Sequence, residues 1–154
     1  MRKRTPAGEE LTRLIMTAFR LQGSLERHGV ALTRPFAQTP ARWQVLSAAW
    51  DESRSVPQIA RRMGLSRQAV QRVANLLVAD GLATFAPNPD HRGSPIVQVT
   101  PRGVSLVHEL NAAQSTWVNA VARHLDRRRL AAAVRAIDEV VGVLERHGVG
   151  SRGR

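Results

Sequence analysis

The chain contains no cysteine, and aromatic residues make up only 4% of its 154 residues. Without cysteine, it can form no disulfide, no thiolate metal site and no thiol-based redox sensor. Because aromatics are few, a hydrophobic core must rest mainly on Leu, Val, Ile and Ala. The chain is long enough to bury such a core in one compact domain, and we expect residues 1–154 to form a single domain.

Long apolar runs are also missing. A membrane-spanning helix needs a run of about 18 or more apolar residues, and the sequence has none. Residues 1–4 are basic, as at the start of a signal peptide, but Glu9 and Glu10 stand where its apolar core would follow. We therefore expect a cytoplasmic protein with no membrane partner.

The patterns of catalytic and metal-binding sites are absent as well. The histidines form no pair at i and i+4 with a carboxylate between them, and no glycine-rich phosphate loop or nucleophile elbow occurs. We expect no metal, no other cofactor and no enzymatic activity. The histidines are His28, His91, His108, His124 and His147.

Basic residues outnumber acidic residues in the sequence, 23 to 12. The formal net charge is +11, and among the 23 basic residues only Lys3 is a lysine. The isoelectric point is near 11.8. Such a balance favours a polyanionic partner.

Residues 55–81 predict two short helices joined by a tight turn. Ser55 can cap the first helix, with Gln58 completing a capping box. Gly64 can supply the positive φ that a helix exit needs, and Ser66 then caps the second helix.

The second predicted helix has one apolar and one polar face. Val70, Val73 and Leu77 share the apolar side. The opposite arc, about 140° wide, is rich in hydrogen-bond donors and carries no acid. Such a face is typical of a helix that reads base edges in the major groove, although an ordinary solvated face is the alternative. The residues of this polar face are Arg67, Gln68, Gln71, Arg72 and Asn75.

Helices and a hairpin are predicted around this unit. Apolar spacing predicts a helix over 9–28 that Gly29 ends, after a mobile arm over residues 1–8. Thr39-Pro40 opens another helix, whose Trp43 and Trp50 are expected in the core rather than in a ligand pocket.

Residues 82–85 and 96–99 read as strands of a hairpin, or wing. Thr100-Pro101 and Asp126 open two further helices, the first running through Leu125 and the second ending near Gly148.

The order of these elements resembles the MarR family of winged helix-turn-helix regulators, over roughly residues 11–144. Its most specific part is the run from Gly81-Leu82 through Asp90-His91-Arg92 to Thr100-Pro101-Arg102-Gly103. This run is similar to the family's wing signature, G-L-[VI] followed by D-x-R and T-x-x-G. Asp90 and Arg92 match D-x-R, and Thr100 and Gly103 match T-x-x-G.

The resemblance implies a mainly α fold: a winged helix-turn-helix DNA-binding lobe over 38–100, with dimerisation helices over 9–28 and 101–147. It implies a homodimer on double-stranded DNA, with Arg92 in the minor groove and Asp90 holding it. It also implies a small aromatic ligand, here expected near Trp43 and Trp50. Arg42 replaces the glutamine that commonly precedes this aromatic residue in the family. A winged-helix protein-interaction module is the alternative, but it would need an apolar or acidic contact patch.

Overall fold

A computed structural model describes residues 3–89 and 93–147. The chain divides into two compact units, residues 1–113 and residues 114–154. Within the described residues, no helix is both long enough and apolar enough to cross a membrane.

The first helix, α1, runs over Pro6–Thr33 and exceeds its prediction at both ends. Thr5 caps it, because its Oγ1 accepts a hydrogen bond from the Gly8 N–H at 3.1 Å. The predicted mobile arm is therefore wrong for Pro6 to Gly8. Gly29 does not end the helix either. A β-carbon there would lie 3.2 Å from Cγ of Pro40, so this glycine lets α1 pass close to the next helix.

Three helices and a small sheet surround the core of the first unit. The helices are α2 (Pro40–Asp51), α3 (Val56–Met63) and α4 (Arg67–Ala79). Val45, Leu46, Ile59, Val70 and Leu77 are among the apolar side chains that they bury together. The core thus lies directly behind α4 and holds its apolar face.

The wing hairpin predicted after α4 is confirmed. Its strands, β2 (Ala83–Ala86) and β3 (Ile96–Val99), pair antiparallel with Phe85 opposite Val97. The sequence did not predict β1 (Arg54–Ser55), which pairs with the other edge of β3. Strand order is therefore β1-β3-β2, with β3 in the middle.

Two long helices follow the sheet. α5 (Pro101–Ala122) begins after Thr100 as predicted but ends short of Leu125. α6 (Arg127–His147) begins after Asp126, whose Oδ1 accepts from the Arg129 N–H at 2.8 Å. None of the residues of α6 is buried. The predicted limits of the dimerisation helices and of the DNA-binding lobe stay predictions.

Candidate DNA-binding surface

The turn between α3 and α4 forms as its sequence predicts. Gln58 Oε1 accepts a hydrogen bond from the Ser55 N–H at 2.7 Å, which ties the start of α3. Gly64 has φ +63°, and a β-carbon there would meet no atom within 4 Å, so its role is conformational. Ser66 Oγ accepts from the Ala69 N–H at 3.1 Å and caps α4. These local bonds set the angle at which α4 leaves α3.

α4 has the two faces that its sequence predicts. Val70, Val73, Ala74 and Leu77 are buried. All five residues of the polar arc are exposed: Arg67, Gln68, Gln71, Arg72 and Asn75. Burial of one face fixes the rotation of the helix about its axis, so the polar arc must point to solvent. On that arc, Gln71 Nε2 donates to Asn75 Oδ1 at 2.9 Å.

A groove of about 300 Å³ separates the start of α4 from the loop between the wing strands. Arg67, Gln68 and Gln71 line one wall, and residues 93–95 line another. This part of the wing loop therefore lies beside the polar arc, on the same surface. Asp90 and Arg92, which the sequence assigns to the wing contact, lie outside the described residues.

The last part of the predicted wing signature anchors α5 to the end of α4. Thr100 Oγ1 donates to the carbonyl oxygen of Gly81 at 2.8 Å and accepts from the Gly103 N–H at 3.1 Å. The Thr100 N–H donates to the Leu82 carbonyl oxygen at 3.1 Å. Thr100 thus caps α5 and binds the turn that follows α4.

Comparison with known proteins gives the family. A family model described as "MarR family" matches residues 39–92, from the cap of α2 into the wing. A mutant of MarR from E. coli, solved with operator DNA, superposes with a TM-score of 0.74 at 16% identity, over 85% of this chain and 95% of that one. The chain belongs to the MarR family. It is thus a DNA-binding transcriptional regulator with a winged helix-turn-helix, and the predicted fold class is confirmed.

Two further comparisons give a relative in sequence and a neighbour in fold. An uncharacterized protein of Mycobacterium tuberculosis is 38% identical over 137 residues, which cover 89% of this chain and 96% of that protein. CouR from Rhodococcus jostii, solved with p-coumaroyl-CoA, has a TM-score of 0.75 at 15% identity. That match covers 82% of this chain and 90% of CouR. At such low identity the solved structures establish the fold alone.

The two tryptophans of α2 in this MarR-family chain differ in their surroundings. Trp43 is half-buried, and its indole nitrogen is enclosed without a hydrogen-bond partner among the described residues. Trp50 is 40% exposed, and its ring meets that of His108 edge-on, with centroids 5.2 Å apart. The expectation that both tryptophans pack in the core is therefore wrong for Trp50.

Sequence reasoning missed one cluster at the C-terminal end of α4. The Arg42 guanidinium at the start of α2 contacts the Asp80 carboxylate, which directly follows α4. Arg102, from the first turn of α5, donates to the Asp80 carbonyl oxygen at 3.1 Å. The only signal in the sequence was that Arg42 departs from the usual family residue, and that signal did not name Asp80.

Proposed function

We propose that the protein binds a specific operator as a homodimer, with α4 of each protomer in a major groove. The observation that carries this proposal is the exposed, acid-free polar arc of α4, backed by a fully buried apolar face. Arginine pairs well with guanine, and glutamine and asparagine pair well with adenine. The arc offers all three residue types on a helix whose rotation is fixed.

Phosphate contacts would hold this helix in register. The uncapped N–H groups at the start of α4 and the positive end of its dipole favour an anion there. Arg61 and Arg62 are exposed in the last turn of α3, one short turn away. We expect Ser66 and these arginines to contact the phosphate backbone of DNA. Such contacts position the protein but carry no sequence information.

We assign Arg92 to the minor groove and Asp90 to its orientation. Both residues come from the sequence signature of the wing. A narrow minor groove concentrates negative potential, most strongly over A·T-rich steps, and arginine is the side chain that it attracts.

Homodimer formation is supported by an apolar stripe on α6. Its five residues fall within an arc of about 80°, and each is between 43% and 51% exposed in the single chain. A contiguous apolar stripe of this size marks an interaction surface. Two-fold symmetry would place the half-sites about one helical turn apart on a pseudopalindromic operator. The stripe consists of Leu130, Val134, Ile137, Val141 and Leu144.

Selection from random DNA duplexes tests the proposal. The expected product is an inverted repeat with half-sites about 10 base pairs apart, bound by a dimer in sedimentation. Affinity for this product should fall with salt, since phosphate contacts release counterions. If no sequence is enriched at any salt concentration, the alternative of a protein-interaction module would replace this function.

We also propose that a small aromatic ligand binds near Trp43 and Trp50 and releases the protein from its operator. We propose the cytoplasm as the place where this occurs. The exposed face of Trp50 offers a stacking surface, and the enclosed Trp43 indole N–H offers a hydrogen-bond donor. CouR, with the same fold, was solved with p-coumaroyl-CoA. A panel of phenolic acids should raise the melting temperature and weaken operator binding. A panel that changes neither would remove the ligand from the model.

A further inference from the structure

Three hydrogen bonds from outside α4 converge on the two residues that follow it. Arg42 of α2 donates a hydrogen bond to the carboxylate of Asp80. Arg102 of α5 donates to the carbonyl oxygen of the same residue at 3.1 Å. Thr100 Oγ1 holds the Gly81 carbonyl oxygen at 2.8 Å. Carbonyl groups at the end of a helix lack partners within it, and cations are favoured there. The C-terminal end of α4 is therefore tied to the first turns of α2 and α5.

The arginine in this cluster is itself held in place. Arg42 Nε donates to Gln38 Oε1 at 2.8 Å, while its Nη2 contacts Asp80. The Arg42 side chain is only 15% exposed, whereas that of Asp80 is 54% exposed. Arg42 is thus the enclosed partner on α2, and Asp80 is the more exposed partner directly after α4.

This contact lies at the far end of α4 from Gln68, so a small tilt of the helix about it displaces the polar arc by a large distance. At a rise of about 1.5 Å per residue, Gln68 lies about 18 Å along the helix from Asp80. A tilt of about 5° about that end would displace Gln68 by about 1.6 Å over this length. Hydrogen bonds to base edges tolerate much less, since functional groups must be held within about 0.5 Å of their productive geometry.

We propose that Arg42 and Asp80 form a positioning clamp that sets the tilt of α4 for reading the operator. The inference rests on the proposed function, because it concerns how the polar arc meets DNA. Neither residue belongs to the polar arc. The clamp supports specific binding only, since non-specific binding depends on charge and tolerates a tilted helix.

Asp80→Asn tests the clamp because its effect on charge and its effect on positioning predict opposite changes in operator affinity. Loss of a negative charge should strengthen binding to any DNA slightly. Loss of the clamp should instead weaken binding to the selected operator, by about tenfold, while affinity for random duplexes does not fall. Glu10→Gln is the matched control, because Glu10 also pairs with an arginine, Arg13 at 3.3 Å, and both residues lie on α1 rather than at the end of α4.

The charge-swapped double variant, Arg42→Glu with Asp80→Arg, provides the rescue. It restores an ion pair across the same gap, and operator affinity should recover to within about threefold of the wild type, given the coupling expected of contacting residues. Melting curves monitor folding throughout. The side chains of Asp80 and Glu10 are 54% and 68% exposed, so the two amide variants should lose little stability and melt within a few degrees of the wild type.

The inference would be overturned if Asp80→Asn and Glu10→Gln bound the operator alike. It would also be overturned if the swapped variant recovered nothing, or if affinity for random duplexes fell as much as operator affinity. A wild-type chain without any preference for a selected operator would overturn the proposed function instead, and the clamp with it. The two failures are therefore distinct.

Discussion

A β-carbon on Gly103 would lie 2.1 Å from the carbonyl oxygen of Leu82. It would also lie 2.7 Å from Cγ1 of Val99. Only glycine therefore lets the first turn of α5 lie this close to the turn that follows α4. The glycine of the T-x-x-G signature is required for packing, not for turn geometry.

We expect Gly103→Ala to lower the free energy of unfolding by about 2–3 kcal/mol, because the backbone of Leu82 must move away. Chemical denaturation at a fixed protomer concentration measures this change. Gly23→Ala in α1 is the matched control, since its β-carbon would meet only the Arg27 side chain at 3.6 Å. That control should gain about 0.5–1 kcal/mol from helix propensity. Equal effects of the two substitutions would contradict the packing role.

Replacing Gln68, Gln71 and Arg72 together with alanine should relax sequence choice. Each bidentate base contact contributes about 1–3 kcal/mol of discrimination, so preference for the operator over random DNA should fall at least about tenfold. Repeating the duplex selection with the variant measures this directly. Gln22→Ala, on an exposed position of α1, should leave the selected sequence unchanged. If the triple variant selects the same operator with the same preference, α4 is not the reading element.

Arg92→Ala should weaken binding through the wing. If the guanidinium contacts phosphate, the salt slope should fall by about one unit on all sequences. If it reads groove width, the loss should be larger on A·T-rich than on G·C-rich flanks. Arg13→Ala removes the same charge from α1, where Arg13 pairs with Glu10 at 3.3 Å, and controls for net charge. Unchanged affinity of Arg92→Ala on both flanks and at two salt concentrations would exclude the wing from the contact.

Ile137→Glu should disrupt the homodimer. The substitution places a charge in the centre of the α6 stripe, where association would bury it without a partner. Sedimentation at micromolar concentration should then show monomers, and operator affinity should fall with the loss of the second half-site. Ala132→Glu lies on the opposite side of α6 and should stay dimeric. A dimeric Ile137→Glu, or a wild type that stays monomeric on DNA, would contradict the assignment of this stripe.

The sequence predicted best those features that neighbouring residues create. The caps at Thr39, Ser66 and Asp126 each form as expected, because a cap and the N–H that it accepts from lie three residues apart. The two-faced α4 and the hairpin after it follow from equally local periodicities. The family resemblance added the order in which these pieces assemble.

Contacts between residues far apart in the chain account for the features that the sequence did not predict. Gly29 reads locally as a helix stop, but α1 continues to Thr33 and passes close to Pro40 of α2 at this glycine. Arg42 and Asp80 are 38 positions apart, and no periodicity links them. The edge-on contact between Trp50 and His108 of α5 likewise joins residues far apart in the chain. Only the assembled fold brings these residues together.

The central position of β3 in the sheet has a consequence for biosynthesis. β1 and β2 both precede β3 in the chain, yet each pairs only with it. During translation, α3 and α4 therefore leave the ribosome before the strand that joins their two flanks. Until Ile96 to Val99 emerges, both outer strands expose unpaired backbone groups. The nascent lobe therefore cannot complete its three-stranded sheet until this late segment emerges.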